Sequence, residues 1–221
     1  MNYEIIKDKE ALLDFINWLP ELEENEKYYC SLFSRKKYAT KSMLKSDKAQ
    51  LKRFLTDKER MYNKIEQLEI KKGAYVLYGE VIEQESLAFY INPNPRSLEK
   101  ATYNSLIDLS KLLRDQKRSL NPHAEVMSCI QRSVGRKIYL DFDIDYKPFD
   151  TKQLDQFINH DCVEILETSG GYHILVRVKD IKQEYKSTFY NDIMSLNVDQ
   201  TGDQMMPVPG CTQGGFVPKF I

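Results

Sequence analysis

The stretch Lys137-Ile138-Tyr139-Leu140-Asp141-Phe142-Asp143-Ile144-Asp145 decides the fold, because apolar and polar residues alternate through it without a break from Ile138 to Asp145. Side chains on a strand point to opposite faces in turn. Ile138, Leu140, Phe142 and Ile144 therefore share one face, and Tyr139, Asp141, Asp143 and Asp145 share the other. The apolar row needs a core. The acidic row needs positive charge, because carboxylates two apart on one strand stay together at neutral pH only with a raised pKa or a cation between them. A hard divalent cation with oxygen ligands meets that need, which makes Asp141 and Asp143 candidate metal ligands. A strand with one solvated acidic face is the plainer alternative.

Working outward, Val163–Glu167 and His173–Val178 are two further β-rich runs, joined by Thr168-Ser169-Gly170-Gly171-Tyr172. Two such runs around a Gly-Gly turn predict a hairpin. Parity puts His173 and Arg177 on one face of the outgoing strand and Ile174, Val176 and Val178 on the other. A His at the mouth of a glycine turn, with an Arg on the same face, suits phosphate oxygens, and glycine backbone can approach an anion closely.

A strand of hydrophobic-Asp-hydrophobic-Asp form followed by Ser169-Gly170-Gly171-Tyr172-His173 resembles the first two motifs of the archaeo-eukaryotic primase superfamily, which includes the primase-polymerase domains of plasmids and phages. The family's third motif is an Asp on a strand followed by Pro-Gly; here Leu196-Asn197-Val198-Asp199 precedes Gln200-Thr201-Gly202-Asp203 and then Pro207-Val208-Pro209-Gly210. Many members carry a basic residue just before the Pro-Gly, where this chain has Met205, Met206 and Pro207. The resemblance covers residues 137 to the end and the earlier half much more loosely.

The resemblance implies an α+β fold with an RRM-like catalytic core, a split βαβ unit on a mostly antiparallel sheet. It implies a DNA primase or primase-polymerase performing template-dependent nucleotidyl transfer in the replication of a phage, plasmid or other mobile element. Asp141, Asp143 and Asp199 would hold two Mg²⁺ or Mn²⁺ ions about 3.5–4 Å apart. Ser169, Gly170, Gly171, His173 and Arg177 would cradle the triphosphate of an NTP or dNTP, with Asp145 and Asp203 as lesser competitors for the metal. The implied partners are a single-stranded DNA template and a replicative helicase or accessory primase domain. Two alternatives stand beside this: a metal-dependent nuclease, which needs no triphosphate cradle, and a non-catalytic replication-initiator or nucleic-acid-binding module.

Length and composition set the frame. The chain has 221 residues, 42% hydrophobic and 29% charged, with a formal net charge of −1. That length suits one substantial domain, or one domain in two lobes; the resemblance implies the two-lobed form, with an N-terminal α/β lobe over about residues 1–135 and a catalytic lobe over 136–221. A net charge near zero gives no global attraction for nucleic acid, so any such contact falls to local basic residues. Arg35, Lys36 and Lys37 beside Tyr38, and Arg96 in the Pro-locked turn Asn92-Pro93-Asn94-Pro95-Arg96-Ser97, are the candidates. Cys30, Cys129, Cys162 and Cys211 are scattered, which predicts free thiols and no zinc. With no signal-like start and no long apolar run, the expected place is cytoplasmic, or intracellular in the host of a virus or plasmid, with no membrane partner. No Walker A motif is present.

Periodicity supplies the remaining elements. Leu12, Leu13, Phe15, Ile16 and Leu19 predict a helix stopped by Pro20, and Lys27–Ser34 a strand. Residues 46–55 and 56–70 are expected to be basic helices, Lys45 flanking the first and Thr56-Asp57-Lys58-Glu59 capping the second. Strands are expected at 74–78 and 87–91, then a helix over 98–113 burying Leu106, Leu109, Leu112 and Leu113. Asn121-Pro122 should cap a helix. Helices over 151–158 and 183–194 complete a β-α-β-β-α-β order in the last third.

Overall fold

The computed structural model describes residues 1–40, 46–114, 120–200 and 203–221. Lys45, and Thr201 and Gly202 of the third motif, lie outside the described residues. Among the described residues the chain is α+β, and every strand pairing is antiparallel.

The first half opens with α1 (Lys9–Trp18), capped by the Asp8 carboxylate accepting from Ala11 N–H at 3.0 Å. Then come β1 (Glu26–Arg35), β2 (Lys48–Thr56), α2 (Lys58–Glu66), the small hairpin β3 (Val76–Leu77) and β4 (Glu80–Val81), β5 (Leu87–Ile91) and β6 (Arg96–Ser97). Two helices follow, α3 (Leu98–Arg114) and α4 (Pro122–Arg132). Asn121 caps α4 by accepting from Ala124 N–H, with Pro122 at the position where a missing N–H costs nothing.

The second half contains β7 (Tyr139–Ile144), a 3₁₀ turn at Thr151–Gln156, β8 (Val163–Glu167), β9 (Tyr172–Arg177), α5 (Phe189–Met194), β10 (Met206–Pro207) and β11 (Lys219–Phe220). The 3₁₀ turn stands where a helix over 151–158 is expected, and α5 occupies only the end of the expected 183–194 helix. The strand expected to carry Asp199 is reduced to a single bridge between Asp199 and Asp143.

Two sheets result. The first has the order β10-β5-β1-β2, with β6 pairing antiparallel to the start of β1. β1 is central and covered on both faces, so nearly all of it is buried. Tyr28, Cys30, Leu32, Phe89 and Ile91 look toward α1 and α2, where Leu12, Phe15, Met61 and Ile65 meet them. On the opposite face Tyr29 and Leu55 pack under Ala101, Met127 and Ile130 of α3 and α4. The other end of that face, with Phe33, Ala88 and Tyr90, extends past the helices.

The second sheet has the order β11-β8-β9-β7. Phe142 and Ile144 of β7, with Ile165, Ile174 and Val176, pack on Leu154, Phe189 and Ile193. Tyr139, Leu166 and Leu175 point the other way, into the core of the first half, where Trp18 stacks on Tyr139 at 4.7 Å. The acidic face of β7 therefore looks toward the first sheet. The last residues are not confined to one half, since Met206–Pro207 pairs with β5 while Lys219–Phe220 pairs with β8.

Residues 46–55 are a correction. They form β2 rather than a helix, because Lys48, Gln50 and Lys52 alternate with half-buried Ala49, Leu51 and Arg53 and the strand pairs along β1. Helix-favouring Lys, Gln and Leu are overruled by that period-two burial. The cap of α2 is Asp57 rather than Thr56, accepting from Arg60 N–H at 3.1 Å. α3 buries Ala101 and Ser105; Leu106 and Leu113, expected inside, are 66% and 68% exposed. No helix among the described residues is long and apolar enough to cross a membrane.

Candidate nucleotide and metal site

The alternation in β7 and the hairpin β8–β9 bring the predicted residues to one face. In the β7–β9 register Asp143 stands opposite His173 and Asp141 opposite Leu175. His173 reaches diagonally, so its Nδ1 lies 2.8 Å from Asp141 Oδ1 while its Nε2 lies 3.7 Å from Asp143 Oδ1. Both Asp141 and His173 are buried. Burial alone would lower the His173 pKa, but the Asp141 charge and hydrogen bond, aided by Asp143 and Asp145, raise it to about 9. The ring is thus an imidazolium at neutral pH, donating from Nδ1 to Asp141. Burial, with the charges of Asp145 and Asp141, raises the Asp143 pKa against the opposing pull of His173.

Asp199 joins them through backbone. Its N–H donates to Asp143 O at 2.8 Å and its O accepts from Asp143 N–H at 2.8 Å, a hydrogen-bonded antiparallel pair whose side chains share a face. Asn197, at φ 57°, turns the chain so that Val198 faces the core and exposed Asp199 lies beside β7. Asn tolerates that left-handed conformation better than most residues.

These residues fit a hard divalent cation in donor chemistry: carboxylate oxygens on one face, and a buried Asp141 Oδ2 with no hydrogen-bond partner among the described residues. Their oxygens are spread wider than one ion's ligand shell. Among the described residues, the group of three potential ligand atoms mutually within 4.8 Å is Asp108, Glu125 and Cys129, between α3 and α4. Arg132 already neutralises that group, at 3.0 Å from Asp108 and 3.8 Å from Glu125.

In front of Asp143 and His173 is a cleft of about 720 Å³ between the two sheets. Asp143, Asp145, Thr168, Gly170 and His173 line one wall. The first sheet contributes Phe33, Arg35, Lys48, Gln50 and Tyr90 at the end where Tyr38 and Met205 pack on it, and Lys37 reaches across toward Gly170. Asp203, Gln204, Met205 and Pro207 contribute the rest together with Gln131 and Gln213. Acidic and basic groups thus line the same cleft.

The glycine turn divides its labour. A Cβ on Gly171 would sit 1.6 Å from Ile144 O, so Gly171 lets the hairpin close against β7. Gly170 faces the cleft, where a Cβ would meet only Lys37 Nζ at 3.9 Å. Exposed Ser169 is held by its N–H donating to Gln213 Oε1 at 2.8 Å, and Gly171 N–H donates to Thr168 Oγ1 at 3.2 Å.

Two predicted residues lie elsewhere. Arg177 is four residues along β9 from His173, about 13 Å away at strand rise; its guanidinium lies over the Tyr139 ring and 3.4 Å from Asp180. Arg96 is not an exposed loop tip: it is fully buried and pairs with Asp203. Buried Arg96 cannot touch a polynucleotide surface. Of the basic run, Arg35 and Lys37 line the cleft, Arg35 also donating to Tyr90 Oη at 2.9 Å, while exposed Lys36 is not part of the wall.

Sequence reasoning missed Lys48, Gln50 and Tyr90. The alternation in residues 48–53 was the available signal for the first two. It also missed the Asn94 hub, whose Oδ1 accepts from Ile138 and Tyr139 N–H, both at 2.8 Å, and whose Nδ2 donates to Tyr139 O at 2.9 Å. No family model, curated protein or solved structure matches the chain.

Proposed function

We propose that the cleft binds a nucleoside triphosphate with a divalent cation, and that the chain is a primase or primase-polymerase catalytic domain of archaeo-eukaryotic type acting on a single-stranded DNA template. The observation that carries the reading is a cleft lined by both signs of charge: the carboxylates of Asp143 and Asp145 with His173 from the second sheet, and Arg35 and Lys48 from the first, with Lys37 between them near Gly170. A polyphosphate with bound cation carries both signs of charge and suits both walls at once. The spatial order β8-β9-β7 with Asp199 on the free edge of β7 supports an RRM-like split βαβ core.

Asp141, Asp143 and Asp199 are the residues that would hold Mg²⁺ or Mn²⁺, which when bound supplies Lewis-acid stabilisation of charge on a transferring phosphoryl group. His173, kept protonated by Asp141, presents Nε2–H as a donor to a phosphate oxygen and does not act as a general base. Lys48 neutralises phosphate charge from the first sheet and Lys37 from beside Gly170, whose missing side chain leaves room for it. Phe33 and Tyr90 offer apolar surface to a base or sugar.

Incorporation of labelled NTPs and dNTPs on single-stranded templates, with and without a primer and with Mg²⁺ or Mn²⁺, tests the reading. Product is expected with the wild type, falling at least ~100-fold in Asp141→Ala and His173→Ala. Shortened template without product would favour the nuclease. Full activity in Asp141→Ala would sink the site assignment.

A further inference from the structure

Among the described residues Arg96 heads the fully buried side chains by size, and its partner Asp203 lines the cleft. Asp203 accepts from three donors. Arg96 Nη2 donates to its Oδ2, Asn92 Nδ2 lies 3.3 Å from the same oxygen, and Asn94 Nδ2 donates to Oδ1 at 2.8 Å. Asn92 Nδ2 also lies 3.1 Å from Gln204 O, next to the backbone that enters β10. Asn94 meanwhile satisfies three backbone groups at the start of β7, the strand that carries Asp141 and Asp143. Arg96 itself sits on β6, paired with Lys27 of β1.

One carboxylate therefore joins the first sheet, the start of the acidic strand and the cleft segment 203–207. With its charge neutralised by a buried guanidinium and its oxygens occupied by three donors, it is poorly placed to ligate a cation. We propose that Asp203 is a positioning residue: through Arg96, Asn92 and Asn94 it fixes the acidic strand β7 and the 203–207 segment against the basic wall of the cleft.

The chemistry picks the variant. Asp203→Asn keeps the shape but turns one acceptor into an NH₂ group, which must then face a donor from Arg96, Asn92 or Asn94. Asn94→Ala cuts the link to β7 while leaving Asp203 paired with Arg96. Amide hydrogen exchange on the full chain, without nucleotide, is read peptide by peptide. Both variants should speed exchange in peptides spanning 138–143 by at least about tenfold, and Asp203→Asn should do the same over 203–208, with 87–91 and 163–167 unchanged. Equal loosening of all four regions, or no change in 138–143, would overturn the proposal.

A second arm rests on the nucleotide reading of the cleft. Mn²⁺ alone, then Mn²⁺ with ATP, are titrated into the wild type and both variants. Positioning predicts that both variants weaken ATP binding by on the order of 10- to 100-fold, as misplacement of a site does, and change Mn²⁺ affinity alike. Loss of Mn²⁺ binding in Asp203→Asn but not in Asn94→Ala would make Asp203 a ligand and overturn the proposal. If the wild type binds no ATP, the nucleotide reading fails, while the exchange result still decides the role of Asp203.

Discussion

His173 is an internal counter-ion before it is anything else. It sits across from Asp143 in the strand register yet hydrogen-bonds diagonally to Asp141, which the close spacing of diagonal cross-strand neighbours allows. Parity in the sequence put Asp141 with Asp143 on the acidic face of one strand and His173 with Arg177 on one face of another, but nothing in the sequence gives the register that selects Asp141 over Asp143. In the metal-free protein, Asp141→Asn should bring the His173 pKa down from about 9 toward or below its ordinary 6.5, since burial then acts against a weaker opposing field. Histidine ring signals followed by NMR titration would show this, and an unchanged midpoint would contradict the pairing. The sign for stability follows. A histidine whose folded pKa lies above its unfolded value stabilises fully below about pH 6.5, and that contribution is lost as the pH rises through about 9. Thermal melting of metal-free wild type should therefore fall across that window more steeply than melting of His173→Ala.

At the scale of elements, the hairpin and β7 were legible because a period of two and a Gly-Gly turn are local signals. β2 was not, because Lys, Gln and Leu favour helix and the alternation in residues 48–53 is only half-buried at an edge strand. α3 misled in the opposite way: its leucines form a stripe, but the face that packs on α4 holds small Ala101 and Ser105, which let the helices approach. The two glycines of the turn give the sharpest contrast. Gly171→Ala drives a methyl into the Ile144 carbonyl and should cost about 3 kcal/mol, lowering the melting midpoint by roughly 6–12 °C. Gly170→Ala meets open cleft and should stay within about 0.5 kcal/mol. Equal melting of the two variants would show that the hairpin does not close on β7 as described.

At the scale of the whole molecule, the near-zero net charge conceals a separated distribution. The acidic wall comes from residues 143–173 and the basic wall from residues 35–48, brought together because Tyr139, Leu166 and Leu175 bury into the core of the first half. The sequence announced each wall separately as an acidic strand and a basic cluster. Their meeting depends on contacts a hundred residues apart, which no local pattern encodes, and the same holds for Arg96, whose place in a proline turn suggested exposure while Asp203 draws it inside. The most direct measurement is an equilibrium titration of ATP into the full chain with Mn²⁺ present, at two salt concentrations, comparing wild type with Lys37→Ala, Lys48→Ala and Asp143→Ala. Saturable, metal-dependent binding is predicted, about tenfold weaker in each lysine variant, abolished in Asp143→Ala, and weakened by salt in the wild type as screening reduces the attraction of the basic wall. No saturable binding, or binding indifferent to Lys37, Lys48 and Asp143, would contradict the account.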